Sequence, residues 1–424
     1  MIRLFSGLWQ HAAFRKLWVA QTVSFIGSQI TGLAMPLTAA LTLHATAFQM
    51  GILQATTALP VLLIGLLVGV WVDRVRRRPI LIGADLGRAA VLIPIPVAAF
   101  LHLLSMGYLY FVALLVGTLN IFFDVAHTSY LPTVVPRDRL VEGNSKLEVG
   151  RAGAMIVGPG LAGLLVHLVT APLALLVDAS SFVVSALCLA LIRTSEPAPS
   201  GPTHGASLWP DLRAGVQVVW HNHVLRTLAL SLCTYNFFSS MVAAVYILYV
   251  TRSLSLSPTM LGLIFSIGSV GFPIGASAAG WAARRFGVGA AIVWGACLSD
   301  AAFLLIGLAS ASPLVAVPLL IAAQFIATLF GPVTAINQLS LRQVITPDGL
   351  QGRVNGTMRF IALVMGPVGA LVGGAMGGTV GLRPTLVVGT LGIQLGFIWL
   401  LLSPVRTVRD AAQAAEHVVG APAR

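Results

Sequence analysis

Between Lys16 and Asp73 the chain carries no Lys, Arg, Asp or Glu, and no other feature constrains its fold as much. A bilayer is crossed by roughly 20 apolar residues, so this stretch is long enough for two crossings. The rest of the chain follows suit. Hydrophobic residues make up 57% of the 424 positions and charged residues 9%, where a soluble domain carries about a quarter charged residues. No water-soluble core can enclose so much apolar surface, so the solvent is lipid. Lipid offers the backbone no hydrogen-bond partner, which leaves helices as the fitting element for segments this long.

On that ruler, spans are predicted at 17–43, 50–72, 80–103, 108–130, 147–169 and 172–193. They resume at 224–250, 258–282, 289–309, 313–336, 355–378 and 382–403. The expected fold is an all-α integral membrane protein of about twelve transmembrane helices in two pseudo-symmetric six-helix bundles. Residues 1–195 form the first half, 196–222 a cytoplasmic linker, and 223–424 the second half.

The net charge of +12 does not indicate nucleic acid, because the charges form short clusters between apolar runs. With both termini in the cytoplasm, the clusters at Arg15 and Lys16, at Arg74, Arg76, Arg77 and Arg78, at Arg137 and Arg139, at Arg284 and Arg285, and at Arg406 and Arg409 all fall inside. Only Arg252 and Arg383 fall outside. This is the bias expected of a multi-pass protein of a bacterial inner membrane. Cys188, Cys233 and Cys297 lie far apart in apolar runs and suit neither a metal nor a disulfide framework. No cofactor is expected. Phe5, Leu8, Trp9 and Ala12 share one helical face, which reads as a short helix on the membrane surface or else a disordered start.

The linker begins with "EPAPSGPTHG", 196–205, flexible by composition. Leu212, Val216, Val219 and Trp220 then share a face, predicting an amphipathic helix over 210–221 on the cytoplasmic surface. The halves echo each other. "GVWVDRVRRRP" (69–79) is answered by "GWAARRFGVG" (280–289), and "GPGLAG" (158–163) by "GPVGALVGG" (366–374). Arg151 and Arg359 each precede a Gly-Pro by seven residues. A duplicated six-helix unit is a transporter architecture with its substrate site near midplane.

Gly69, Asp73, Arg74, Arg77 and Arg78 match the loop signature G-x-x-x-D-R-x-G-R-R/K, with Arg76 in place of its second glycine. On these residues the chain resembles the major facilitator superfamily. "FRKLWVAQTVSFIGSQIT", "FFDVAH", "YLPTVVP", "VDASSFVVSALCL" and "GLQGRVNG" are similar to its macrolide-efflux and enterobactin-exporter branch. The resemblance implies a monomeric secondary transporter that exports small organic molecules, with the proton as coupling ion. It also implies a latch at the cytoplasmic mouth: Asp73 faces the N-terminus of the eleventh span and Arg77 reaches Asp124. Exposed ion pairs contribute about 0–1 kcal/mol, a bias that suits a switch with two states of similar energy.

Ionisable groups at membrane depth are costly and mark functional candidates. Asp85 with Arg88, and Glu148 with Arg151, are i, i+3 pairs and read as structural ion pairs. Asp178 has Ser180 and Ser181 beside it, whereas Asp300 has no charged neighbour in sequence. Asp300, Asp178 and Asp85 are the candidates for proton coupling. Gly158, Pro159, Gly163, Gly366 and Pro367 are candidates for close helix packing.

Spans one, four, seven and ten are expected to line a substrate cavity. The candidates there are Gln21, Ser24, Gln29, Asn120, Tyr235, Asn236, Tyr246 and Gln324. Few charges and several aromatics point to a large amphipathic substrate. A lysophospholipid or other lipid carrier of the same fold is the alternative. An intramembrane enzyme fits least, because the nine histidines are scattered, and no Walker motif marks an ATP-driven pump.

Overall fold

The computed structural model of the protein describes residues 7–72, 74–194, 196, 208–309 and 312–409. Among them twelve helical segments are long and apolar enough to cross a membrane. In the first half these are α1 (Ala12–Leu37), α2 (Ala47–Val72), a third span bent into α3 (Arg77–Leu92) and α4 (Pro94–Phe100), α5 (Met106–Val134), α6 (Leu140–Leu168) and α7 (Ala171–Ala190). After the linker helix α8 (Leu208–His221) come α9 (His223–Leu248), a span divided into α10 (Pro258–Ser269) and α11 (Gly271–Phe286), α12 (Val288–Leu308), α13 (Pro313–Ile345), α14 (Gln351–Thr379) and α15 (Leu382–Leu401). The third span breaks at Pro94, which has no N–H to continue the ladder. Side chains close several helix starts: Asn222 Oδ1 accepts the N–H groups of Val224 and Leu225 at 3.0 and 3.1 Å.

The helices outrun the apolar stretches at one end. α6 begins at Leu140 and α13 continues to Ile345, beyond the 147 and 336 set by hydropathy. Glu142, Asn144, Ser145 and Lys146 occupy one extension, and Gln338, Ser340, Arg342 and Gln343 the other. A hydropathy ruler sees the lipid-facing length, and these turns remain helical beyond it.

The chain divides into two compact units. One contains the described residues of Met1–His204 together with Ser257–Ser266; the other contains those of Gly205–Leu256 and Ile267–Arg424. In the first, α1 packs on α6 and α7, α2 on α5, and α3 on α5 and α7. In the second, α9 packs on α14 and α15, α11 on α13, and α12 on α13 and α15. This is the same scheme, and it repeats at a fixed interval. α3 starts at 77 and α12 at 288, and 288 − 77 = 211. The same 211 separates both ends of α6 from those of α14, and of α7 from those of α15. Even the irregularities recur. π-helical turns end α1 at Thr38–Thr42 and α9 at Tyr249–Ser253, followed by left-handed His44 (φ 50°) and Ser255 (φ 52°).

This interval corrects one sequence alignment. Gly158 corresponds to Gly369, one turn beyond the Gly366-Pro367 with which it was paired. A Cβ on Gly158 would meet the Ile26 carbonyl, and one on Gly369 the Phe237 carbonyl, again 211 positions apart. The two Gly-Pro pairs are therefore a coincidence of composition offset by about one turn.

Two amphipathic readings also change. The first described residues, Gly7–Gln10, form a 3-10 turn and not a surface helix. Leu8 is buried in the first unit's core, and its N–H donates to Glu142 Oε1 at 3.1 Å. Trp9 lies over Lys146 Nζ at 4.9 Å; Phe5 is outside the described residues. In α8, Val219 is buried while Val216 and Trp220 are exposed. Gly215, four residues before Val219, lies so close to α14 that a Cβ would meet the Arg353 carbonyl at 2.6 Å. The helix thus sits on α14 by one face and leaves Val216 and Trp220 on another.

Candidate functional site

The arginine-rich loop after α2 leads into α3. Of its sequence candidates, Gly69 is half-buried, Arg74 and Arg76 are exposed, and Asp73 lies outside the described residues. The N-terminus of α3 is closed by Glu196. Its carboxylate accepts the Arg77 N–H at 2.7 Å and the Arg78 N–H at 2.9 Å. Both the free N–H groups and the helix dipole favour an anion there. Arg78 reaches the end of α7, donating from Nε to the Leu189 carbonyl at 3.0 Å and from Nη2 to the Ala190 carbonyl at 2.5 Å. The loop is therefore tied within its own unit to the chain leaving α7. The sequence presents Glu196 only as part of a flexible linker, and nothing near it points to a helix 118 residues away in sequence. Asp124 is exposed on α5.

The first unit has a buried polar centre. Arg88 on α3 pairs with Asp85 one turn back, and its Nη1 donates to Asn120 Oδ1 on α5 at 2.7 Å. The guanidinium lies between two rings, 4.4 Å from the centroid of Phe123 and 4.1 Å from that of Phe182. Such stacking supports a cation withdrawn from water. Asp178 on α7 accepts from Ser181 Oγ at 3.1 Å and adds to the field at Arg88. Asp85, Arg88 and Asp178 are 0%, 3% and 1% exposed. Sequence spacing gave the Asp85–Arg88 pair but not its link to α5 and α7. The pair Glu148–Arg151 is at 3.6 Å and exposed.

The second unit holds a different centre. Asp300 on α12 is 4% exposed and belongs to no salt bridge among the described residues. It lines a cavity of about 350 Å³ with Tyr235 of α9, Phe272 of α11, and Thr328, Thr334 and Gln338 of α13. Gln394 on α15 donates to the Asp300 carbonyl at 2.7 Å, fixing the backbone there. Among the described residues no Lys, Arg or His lines this cavity, and Asp300 and Tyr235 are its titratable groups.

The remaining cavity candidates are dispersed. Gln21 and Ser24 are buried in the first unit. Gln29 lies against Gly158, and Gln324 against Gly268. Asn236 donates to the Leu232 carbonyl of its own helix at 2.8 Å, and Tyr246 is buried. The packing candidates lie at close contacts. A Cβ on Gly163 would stand 2.4 Å from the Pro258 carbonyl, and one on Gly262 would stand 2.5 Å from the Pro159 carbonyl. A Cβ on Gly366 would stand 3.4 Å from Ser240 Oγ, and Pro367 is buried. Among the described residues no group of three or more His, Cys, Asp or Glu is placed to hold a metal.

Residues 17–246 match the family model of the Major Facilitator Superfamily. The multidrug efflux pump Tap of Mycolicibacterium fortuitum is 27% identical over 379 residues, 87% of this chain and 91% of that protein. The enterobactin exporter EntS of Salmonella typhi is 26% identical over 401 residues, 92% of each. Among solved structures, a mutant of the nucleoside transporter NupG superposes with a TM-score of 0.76 at 10% identity, covering 92% of this chain and 99% of that one. A bacterial homologue of the lysosomal transporter Spinster gives 0.73 at 14% identity, with 94% and 97% covered.

Proposed function

Since the chain belongs to the major facilitator superfamily, a family of membrane transporters, we propose that it exports amphipathic small organic molecules such as antibiotics, natural products or siderophores. Export runs by proton antiport with alternating access, and the protein acts as a monomer in a bacterial inner membrane with both termini cytoplasmic. The observation that carries this reading is the alignment along about nine-tenths of the chain with two exporters. The arginine distribution supports the orientation.

Asp300 is the coupling carboxylate in this reading. Asp85 is bound to Arg88, and Asp178 is held by Ser181 in the field of the same arginine. Among the described residues Asp300 has no such cation, and it faces a cavity. The latch of Asp73, Arg77 and Asp124 biases the cytoplasmic mouth towards closure, with Glu196 fixing the helix that presents Arg77. The test is accumulation of a labelled panel of macrolides, dyes and siderophores in inside-out vesicles, with the lumen acid or equilibrated. Gradient-driven accumulation of at least one compound is expected. Uptake of the same compounds at the same rate without the gradient contradicts antiport.

A further inference from the structure

The fixed interval of 211 residues aligns the two polar centres residue by residue. In the second unit the positions of Asp85, Arg88, Asn120 and Phe123 are held by Ala296, Ser299, Gly331 and Thr334. All four of these smaller residues line the Asp300 cavity. The cavity is therefore the space that the Arg88 guanidinium and its surroundings fill in the first unit.

The carboxylate is still present, supplied from a different position. In the first unit Ser185 lies beside Asp85. Its counterpart is Gly396, where a Cβ would stand 3.6 Å from Asp300 Oδ2. Asp300 thus brings its carboxylate to the place that Asp85 occupies. The first unit pairs that carboxylate with its own arginine, and the second leaves a cavity beside it.

The neighbouring layer is altered too, in the direction that removes competing polar groups. In the first unit Gly27 leaves room for Asp178 and Ser181; a Cβ there would lie 2.3 Å from Asp178 Oδ1. In the second, the counterparts of those two residues are Gly389 and Gly392; the Val242 side chain lies against Gly389 and the Phe238 ring against Gly392. Asp300 is left as the charged group of the centre.

From this geometry we infer that the Asp300 cavity is a binding subsite for a planar or compact organic cation, the guanidinium or protonated amine of the ligand. It lies within the second unit, and the ligand's cation takes the place that Arg88 takes in the first. Tyr235 and Phe272 offer ring faces and edges to such a group, and Thr328, Thr334 and Gln338 offer oxygens. At about 30 Å³ per water, the volume of about 350 Å³ accommodates a cation with an attached aromatic ring. This assignment names the chemical class of cargo for the proposed exporter and rests on that reading for its physiological meaning.

Binding to purified protein tests it without requiring transport. The probes are phenylguanidinium and its neutral isostere phenylurea, followed by calorimetry on the detergent-solubilised protein. The wild type is expected to bind phenylguanidinium about ten- to a hundredfold more tightly, the factor that accompanies a hydrogen bond to a charged group. Asp300→Asn should abolish the difference, and Asp300→Glu should retain part of it. Ser299→Arg keeps the carboxylate and restores an arginine at the position equivalent to Arg88. It should lose phenylguanidinium binding while its thermal midpoint equals or exceeds that of the wild type. Equal affinity for the two probes in the wild type, or undiminished preference in folded Asp300→Asn or Ser299→Arg, overturns the assignment. Intact selective binding without gradient-driven transport would contradict the export reading alone.

Discussion

Arg88 and Ser299 are counterparts in the two repeats, and one ends in a buried ion pair while the other opens onto a cavity. The helices that carry them are arranged alike, since α3 and α12 begin 211 residues apart and pack on corresponding neighbours. What differs is side-chain volume and charge. One scaffold thus supports a charge-compensated post in the first unit and an uncompensated carboxylate in the second.

Removing the cation from the first unit should be severe. Arg88→Ala leaves Asp85 without its buried partner, and breaking such a pair costs about 3–5 kcal/mol. A large drop in thermal midpoint is expected in detergent. The double substitution Asp85→Asn with Arg88→Met should recover much of it. A single variant as stable as the wild type would show that the ion pair does not hold α3, α5 and α7 together.

Close helix approach at the sixth helix makes a local prediction. Gly163→Ala places a Cβ 2.4 Å from the Pro258 carbonyl, whereas Gly153 has nothing within 4 Å. Overpacking of this kind costs about 1–3 kcal/mol. Fluorescence-detected size exclusion after a heat challenge should show Gly163→Ala losing its monodisperse peak at a lower temperature than Gly153→Ala. Identical profiles would remove the close approach as a constraint.

Glu196 was the functional residue least visible beforehand. Glu196→Ala removes the carboxylate that closes α3, with an expected loss of about 0.5–2 kcal/mol as for other helix caps. Glu196→Gln keeps an acceptor but not the charge, and should lie between the two in thermal midpoint. Equal midpoints for all three proteins would indicate that the arginine-rich loop is held in some other way.

The proposed membrane orientation rests on the arginine distribution and is checked by labelling. In a variant lacking Cys188, Cys233 and Cys297, a cysteine replacing Arg252 should react with an impermeant maleimide added outside cells. One replacing Arg74 should react only in inside-out vesicles. The reverse pattern contradicts cytoplasmic termini.

Much of this fold was legible because lipid imposes a simple rule: an apolar stretch of bilayer length becomes a helix. All twelve segments were found that way. Their polar extensions, such as Glu142 to Lys146 on α6, were missed because they lie beyond the apolar length the rule measures. The repeat was visible in matching glycines, but its register was not. Gly-Pro at 158 and 366 looks like a match, while Ile26 and Phe237 reveal the true partner as Gly369. For the site, i, i+3 spacing identified Asp85 with Arg88. Spacing along one helix cannot show that Asn120 and Phe182 close around that arginine, or that the equivalent space near Asp300 is left open.

Proton antiport through Asp300 is tested most directly in inside-out vesicles with an acid lumen, following a pH-sensitive fluorophore as transported compounds are added. The wild type should release protons with each transported compound, and Asp300→Asn should bind phenylguanidinium poorly and release none. Undiminished substrate-dependent proton release by folded Asp300→Asn would contradict the assignment of this carboxylate to coupling.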